Sequence, residues 1–153
     1  MPALGTTTMD IEKVLTLTSE EIAYIAGFFD GEGSVVIAYQ TRSKTPCVYV
    51  SLYQQRPAVL HWIASYFSGK VIHSPTKSTF DWRIGGQTPV RCFLRLVRPY
   101  LRVKLLEVEE ALALLERKEK YTIEEIDAAR ARMKEYKKLG VPLTVLNARK
   151  ETV

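Results

Sequence analysis

The sequence predicts an α+β fold with the element order αββαββα, a four-stranded antiparallel sheet and extra C-terminal helices. Apolar residues recur with helical spacing ahead of two segments in which they alternate with polar residues. Each alternating segment is followed by a polar turn and a second alternating segment, as in a hairpin. From Pro89 onward the spacing is helical again. Such a sheet is covered by helices on one face, and its other face is left open.

The composition is that of one globular domain of 153 residues. The chain has no apolar run of membrane-spanning length and does not begin like a signal peptide, so we expect an intracellular location, cytoplasmic or, in a eukaryote, organellar. Cys47 and Cys92 lie far apart without metal-ligand spacing, which argues against a disulfide framework or a zinc site. The net charge of +5 favours a polyanionic partner, although many other proteins are equally basic.

The best-marked helix begins after Thr18 and follows an extension, residues 1–17, that has no clear period. Thr18 and Glu21 fit a capping box, in which each side chain bonds the backbone amide at the other's position. One face carries apolar residues, and another carries small residues at every fourth position that would let a second helix approach closely. The small residues are Ala23, Gly27 and Gly31.

Two glycines, Gly31 and Gly33, end this helix and bracket Glu32, which follows Asp30 by two positions. Residues two apart do not share a helix face, so one acid can be structural while the other projects from the helix end. A carboxylate at a helix C-terminus is electrostatically unfavourable. We therefore expect a cation or hydrogen bonds beside these acids.

The first predicted hairpin pairs residues 34–42 with 47–53, and the second pairs 70–74 with 79–84. Between them, a helix starts at Pro57 and ends at Gly69. We expect two residues of this helix, His61 and Trp62, to be packing residues and not ligands.

The predicted helices after the second hairpin cover residues 90–97, 103–118 and a last segment that ends at Gly140. Thr122 and Glu125 form a second capping box, which opens the last helix. Its inward face should carry Ile123, Ile126, Met133 and Tyr136. We therefore divide the chain into the extension 1–17, a domain 18–140 and a tail 141–153.

The open face of the sheet and its turns combine basic, amide, hydroxyl and aromatic side chains. Such a face can read base edges and contact phosphates in the major groove of DNA, which is wide enough for a β-ribbon. A solvated sheet face without a ligand accounts for the pattern equally well. The candidate DNA-binding positions are Ser34, Val36, Ala38, Gln40, Arg42, Lys44, Tyr49, Ser51, Tyr53, Lys70, Ile72, Ser74, Lys77, Asp81 and Arg83.

The stretch from Ile25 to Gly33, IAGFFDGEG, resembles the LAGLIDADG motif of homing endonucleases, in the form found in their single-motif, homodimeric branch. For these nine residues alone, a packed helix with a glycine cap is the alternative interpretation. The αββαββα order is also similar to the core of that family, so the resemblance extends from about Thr18 to Lys118. No second motif follows downstream.

The resemblance implies a symmetric dimer in which the motif helix packs against its copy. It assigns Ala23, Gly27, Phe28, Asp30 and Gly31 to the dimer interface, with Asp30 mainly structural. It also makes Glu32 the metal ligand, together with the Gly31 carbonyl. Glutamate in place of aspartate is within the family's pattern, although its longer side chain alters the reach to the metal.

Two further active-site positions follow from the resemblance. A polar residue at the end of the second strand corresponds to Gln54, with Gln55 or Arg56 as alternatives if the register is shifted. A lysine after the third helix corresponds to Lys104, because residues 98–104 resemble the family's segment at that point. Gln54 would position water, and Lys104 would stabilise developing negative charge.

The function implied is that of an intron-encoded homing endonuclease that hydrolyses phosphodiester bonds with Mg²⁺ and makes double-strand breaks in a long, pseudo-palindromic DNA target. Mn²⁺ and Ca²⁺ are alternative occupants of the metal site. The first alternative function is a non-catalytic nucleic-acid binder on the same fold, either an RNA-splicing maturase or a DNA-binding regulator. The second is an unrelated α+β domain whose glycine-rich helix end is coincidental.

Overall fold

The computed structural model describes residues 9–39, 46–117 and 121–139, without the side chains of Pro46 and Leu139. Within these ranges the chain forms six α-helices, four β-strands and a 3₁₀ turn. Their bounds are α1 Ile11–Val14, α2 Ser19–Glu32, β1 Gly33–Tyr39, β2 Pro46–Gln54, α3 Ala58–Phe67, β3 Lys70–His73, β4 Phe80–Ile84, α4 Gln87–Val97, the 3₁₀ turn Arg98–Tyr100, α5 Leu105–Glu116 and α6 Ile123–Leu139.

The four strands form one antiparallel sheet in the order β1-β2-β4-β3. Val35, Val50 and Ile84 are aligned across the sheet on its covered face, and all three are buried. The neighbouring row, Ser34, Ser51 and Arg83, is aligned on the opposite face. The α+β fold and the predicted assignment of residues to the two sheet faces are therefore confirmed.

The core lies between the covered sheet face and the helices, and Phe93 of α4 is at its centre. The Phe93 ring lies 5.5 Å from Phe29 of α2, 5.1 Å from Phe67 of α3 and 5.5 Å from Trp82 of β4, measured between ring centroids. All four side chains are almost completely buried. One aromatic cluster thus joins three helices to the sheet.

The capping box at the start of α2 forms as predicted, with bonds of 3.1 Å and 3.0 Å between Thr18 and Glu21.

The turn from the end of α2 into β1 has no intervening loop, and this explains the glycine at its centre. A Cβ atom on Gly33 would lie 2.7 Å from the Phe29 carbonyl oxygen and 2.9 Å from the Leu52 side chain. Only glycine fits where the strand leaves the helix so closely.

Several local features differ from the sequence predictions. Residues 9–17 contain the short helix α1, and Val14 packs into the core. His61 is exposed, so its prediction as a packing residue is wrong, whereas Trp62 is half-buried between aromatic neighbours. Ile123 is exposed, which corrects its inward assignment on α6.

Helix α4 begins at Gln87, three residues earlier than predicted, with Pro89 in its first turn, where a missing amide hydrogen costs nothing. Among the described residues, no helix is both long and apolar enough to cross a membrane.

Candidate functional site

The end of α2 is tied to the segment before α5 by Asp30. Its carboxylate accepts three backbone amides: Arg102 at 2.8 Å, Val103 at 3.2 Å and Lys104 at 3.0 Å. In return, Lys104 Nζ donates to the Asp30 carbonyl oxygen at 2.6 Å. Asp30 therefore has a structural role within one chain, and it holds the Lys104 ammonium at the C-terminal end of α2.

Glu32, the last residue of α2, is exposed. Its carboxylate has no hydrogen-bond or ion-pair partner within the described ranges. The last turn of α2 contains no basic residue. The negative end of the helix dipole disfavours a carboxylate there, and the nearby Lys104 ammonium is directed to the Asp30 carbonyl, so the Glu32 carboxylate is not ion-paired with any described residue.

Gln54 ends β2 at the same end of the sheet. Gly33 pairs with Leu52, and since the strands are antiparallel, Gln54 lies two residues beyond this pair, alongside the end of α2. Its Oε1 atom accepts the backbone amides of Gln55 at 2.8 Å and Arg56 at 3.4 Å. The amide nitrogen of Gln54 has no acceptor among the described residues, so it is available to donate.

The open sheet face carries the predicted polar set in register. Tyr53 pairs with Asp81, which pairs with Ile72, and Ser51 pairs with Arg83, which pairs with Lys70. Tyr53 and Ile72 are exposed. Ser74 follows β3 in the turn that contains Lys77, and its amide donates to the Thr79 carbonyl at 2.9 Å. Gln40, Arg42 and Lys44 lie outside the described residues.

Ser51 is on the predicted face but only 1% exposed. Ser34 and Arg83 flank it on the neighbouring strands, and the Arg83 guanidinium lies over the Tyr49 ring at 4.7 Å. The prediction that Ser51 contacts a ligand directly is therefore wrong for this arrangement. Its neighbours occupy the space above it.

Asp81 adds an acidic group to this face. Its Oδ2 is 3.4 Å from Arg83 Nη2, and its Oδ1 is buried without a partner in the described part of the chain. Burial raises the pKa of the Asp81 carboxyl, and the positive charge of Arg83 opposes that increase. An acceptor and a stacked guanidinium therefore lie side by side on the open face.

The structure is similar to solved structures of homing endonucleases. I-CvuI, in complex with an I-CreI target in the presence of Mg with the DNA not cleaved, is 16% identical, and the match covers 81% of this chain and 98% of that chain with a TM-score of 0.57. I-SmaMI, bound to uncleaved DNA with calcium ions, is 22% identical over 87% of this chain and 49% of that one, with a TM-score of 0.61. I-LtrWI, a LAGLIDADG homing endonuclease bound to target DNA, is 19% identical over 91% and 49%, with a TM-score of 0.60.

The chain has the LAGLIDADG homing endonuclease fold. The fold predicted from the resemblance is thereby confirmed. No family model matches the sequence, and no curated protein does either.

In the LAGLIDADG fold of this chain, one face of α2 is open. A Cβ atom added at Gly27 or Gly31 would meet nothing within 4 Å. Tyr24 is exposed on the same helix, and Ala23 and Phe28 are half-buried. The small-residue stripe therefore has no packing partner within the described chain.

Glu107 of α5 was not identified from the sequence, although it lies behind the Asp30–Lys104 pair. It is 4% exposed, and its Oε2 has no partner among the described residues. Burial raises the pKa of this carboxyl, the charges of Lys137 and Lys104 lower it, and Asp30 raises it again. The only available signal was an acid among the apolar positions of a helix, three residues after Lys104.

Within the described ranges, no group of three or more His, Cys, Asp or Glu side chains could hold a metal ion. The donors at the end of α2 are instead a single carboxylate and backbone oxygens. The carbonyls of a helix's last turn have no intrahelical partner, and Gly31 lies in that turn. Such hard oxygen donors match the preference of Mg²⁺ and Ca²⁺.

Proposed function

We propose that this protein is an intron-encoded homing endonuclease that hydrolyses phosphodiester bonds with a divalent metal and makes double-strand breaks in a long, pseudo-palindromic DNA site. The observation that carries the proposal is the exposed carboxylate of Glu32 at the negative end of α2, which has no partner among the described residues. The helix dipole disfavours an acid there, and the ammonium of Lys104 is directed to the Asp30 carbonyl and does not pair with Glu32. A bound cation provides a reason for it.

In this proposal, Glu32 and the Gly31 carbonyl hold Mg²⁺, with Mn²⁺ and Ca²⁺ as alternatives. When bound, a divalent cation polarises a phosphate and makes water a stronger nucleophile near neutral pH. The solved structures with the same fold include I-SmaMI with calcium ions and I-CvuI in the presence of Mg. The donor set of this chain fits the same class of ion.

Lys104 and Gln54 take the remaining roles. The Lys104 ammonium has three donor hydrogens, of which one is directed to the Asp30 carbonyl, so the other hydrogens can reach a phosphate oxygen. Its positive charge opposes the negative charge that develops during hydrolysis. Gln54 uses its oxygen in the turn after β2, so it orients water by donating from its amide nitrogen.

We propose that the active form is a homodimer joined through α2. Ala23, Gly27 and Gly31 would meet the same residues of a second copy, flanked by Phe28 and by the helix ends that Asp30 steadies. The chain matches nearly the whole of I-CvuI but about half of I-SmaMI and I-LtrWI, as expected of a unit that functions in pairs. Two-fold pairing would place two Glu32 carboxylates near one axis and suit a pseudo-palindromic site.

Sequence recognition is assigned to the open sheet face. Arg83 is held against Tyr49, and its guanidinium is still exposed. Two N–H groups of a guanidinium can donate together to the O6 and N7 acceptors of guanine. Since Oδ1 of Asp81 is buried, we assign its Oδ2, which also contacts Arg83, as an acceptor for a cytosine amino group. Around them we assign Ser34, Val36, Ala38, Tyr53, Lys70, Ile72, Ser74 and Lys77 to DNA contacts.

The deciding experiment is Mg²⁺-dependent cleavage of a randomised DNA library, comparing wild type with Glu32→Gln. The matched control is Glu20→Gln, which removes an exposed carboxylate from the first turn of the same helix. We expect specific double-strand cuts by wild type and Glu20→Gln. Glu32→Gln should lose cleavage and retain binding, because the substitution removes the metal carboxylate and leaves the sheet face intact.

Salt-sensitive binding without cleavage by wild type would refute the nuclease and favour the non-catalytic binder. Cleavage that survives in Glu32→Gln would refute the metal assignment. An absence of binding by all three proteins would refute both functions and leave only the shared fold.

A further inference from the structure

Helix α6 carries a stripe of cations along one side. Arg130, Lys134 and Lys137 follow at i, i+4 and i+7, so they lie on the same face of the helix. The stripe is about 10 Å long at 1.5 Å per residue. All three residues are exposed. On the opposite side of α6, Arg132 is already paired with Glu110 at 2.6 Å.

The three cations line an open groove between α6 and β1. The covered-face residues Val35 and Ile37 contribute to the groove floor, and so does Val36, whose side chain belongs to the open sheet face. Because β1 is an edge strand and Val36 lines the groove, the groove borders the open face at this edge of the sheet. The basic stripe therefore lies beside the proposed DNA surface.

The charges along this groove are available for a ligand. Lys134 and Lys137 form no ion pair in the described part of the chain, although the charge of Lys137 also lowers the pKa of the buried Glu107 carboxyl. Arg130 lies over the Tyr39 ring, 5.4 Å from its centroid, which orients the guanidinium without neutralising it. The one carboxylate among the described groove residues, Asp127, accepts the Tyr39 hydroxyl at 2.5 Å. The groove keeps a net positive charge.

We infer that this stripe binds the phosphate backbone of duplex DNA alongside the bases read by the sheet, so that α6 forms an outer edge of the DNA interface. This rests on the proposed function. Phosphates on one DNA strand rise about 3.4 Å each along the helix axis, so three of them span about 7 Å in that direction, which is within the length of a stripe about 10 Å long. Such contacts strengthen binding to any sequence and add no base specificity.

The test compares the salt dependence of binding for wild type and the triple variant Arg130→Gln/Lys134→Gln/Lys137→Gln. The probe is a mixed-sequence duplex long enough to span a dimer, in calcium buffer, with fluorescence anisotropy as the readout. The control removes the same formal charge away from the groove, as Lys13→Gln/Arg95→Gln/Arg98→Gln, where two of the cations are in exposed ion pairs.

The slope of log K against log salt is negative, and each lost phosphate contact makes it less steep by about 0.9. The loss of six contacts in a dimer would therefore reduce its magnitude by up to about 5. We expect a clear decrease in the triple variant and a nearly unchanged slope in the control. Equal slopes for wild type and the triple variant would overturn the inference, while library cleavage by wild type would still support the proposed function.

Two further outcomes would count against the inference. If the triple variant lost affinity for a hairpin RNA and kept its affinity for the duplex, the stripe would be an RNA site. If wild type failed to bind or cleave DNA under any condition, the proposed function would fall, and the inference with it.

Discussion

Replacing Asp30 with alanine tests whether one carboxylate joins the end of α2 to the start of α5. The substitution removes the acceptor for the amides of Arg102, Val103 and Lys104, at 2.8, 3.2 and 3.0 Å. A hydrogen bond to a charged group contributes about 1.5–3 kcal/mol. Because three donors share two oxygens of a half-buried side chain, we assign about 1 kcal/mol to each bond and expect the free energy of unfolding to fall by about 3 kcal/mol.

The assay is urea denaturation followed by circular dichroism and tryptophan fluorescence, with the loss read from the midpoint at a constant m-value. The control is Asp10→Ala, because Asp10 also caps a helix, accepting Glu12 and Lys13 amides at 3.0 and 3.4 Å in an exposed position. We expect that control to lose about 0.5–1 kcal/mol. A loss in Asp30→Ala no larger than in Asp10→Ala would refute the reasoning.

The same variant should impair chemistry more than DNA binding. Lys104 would lose the amide contact that fixes its backbone, while the sheet face would be unchanged. We therefore expect a lower single-turnover cleavage rate with a nearly unchanged Kd for duplex DNA, both measured at a protein concentration at which the variant is dimeric. Equal losses in rate and affinity would contradict a positioning role for Asp30.

Three further substitutions test the packing and the electrostatics. Gly33→Ala should lower the free energy of unfolding, obtained from the denaturation midpoint, by about 1–3 kcal/mol, because its Cβ would lie 2.7 Å from the Phe29 carbonyl oxygen. The control Gly85→Ala, whose Cβ would meet nothing within 4 Å, should leave the stability unchanged. Gly27→Leu should leave chain stability intact or raise it by about 1 kcal/mol and abolish the dimer in sedimentation equilibrium; an unchanged dimer would refute the α2 interface. Glu107→Gln should stabilise the protein near pH 7 and lose that advantage towards pH 4. The pKa of Glu107 is raised by burial, so the stability that its neutral form contributes is present below the ordinary pKa and lost as the pH rises through the folded-state pKa. A difference in stability between wild type and Glu107→Gln that is independent of pH would contradict the raised pKa of Glu107.

The sequence predicted the element order and the sheet faces because both depend on local periods. Alternation in residues 34–39 and 47–53 determines which side chains share a sheet face, and the observed pairing of Ser34 with Ser51 agrees with it. The capping box of Thr18 and Glu21 also formed as predicted, because both partners lie within one helical turn.

The errors concern exposure and contacts between distant segments. Ser51 is on the expected face but is covered by its neighbours. Periodicity gives no information about how far the side chains on adjacent strands extend over a residue. His61 is exposed although its helix is apolar. Glu107 lies behind Lys104 because α5 packs against β1 and α6, which no short-range pattern encodes.

The sequence by itself determined the fold and the motif helix, because both follow from local spacing and from the order of the elements. It also identified Glu32, Gln54 and Lys104 as candidate residues, through the resemblance in the motif and in the element order. Only the tertiary structure decided how the candidates meet. The Asp30 carboxylate accepts amides more than seventy positions away, and Lys104 donates back to the end of α2. Contacts over such separations depend on packing of the whole core, because a local pattern specifies which face a residue lies on but not which distant residue faces it.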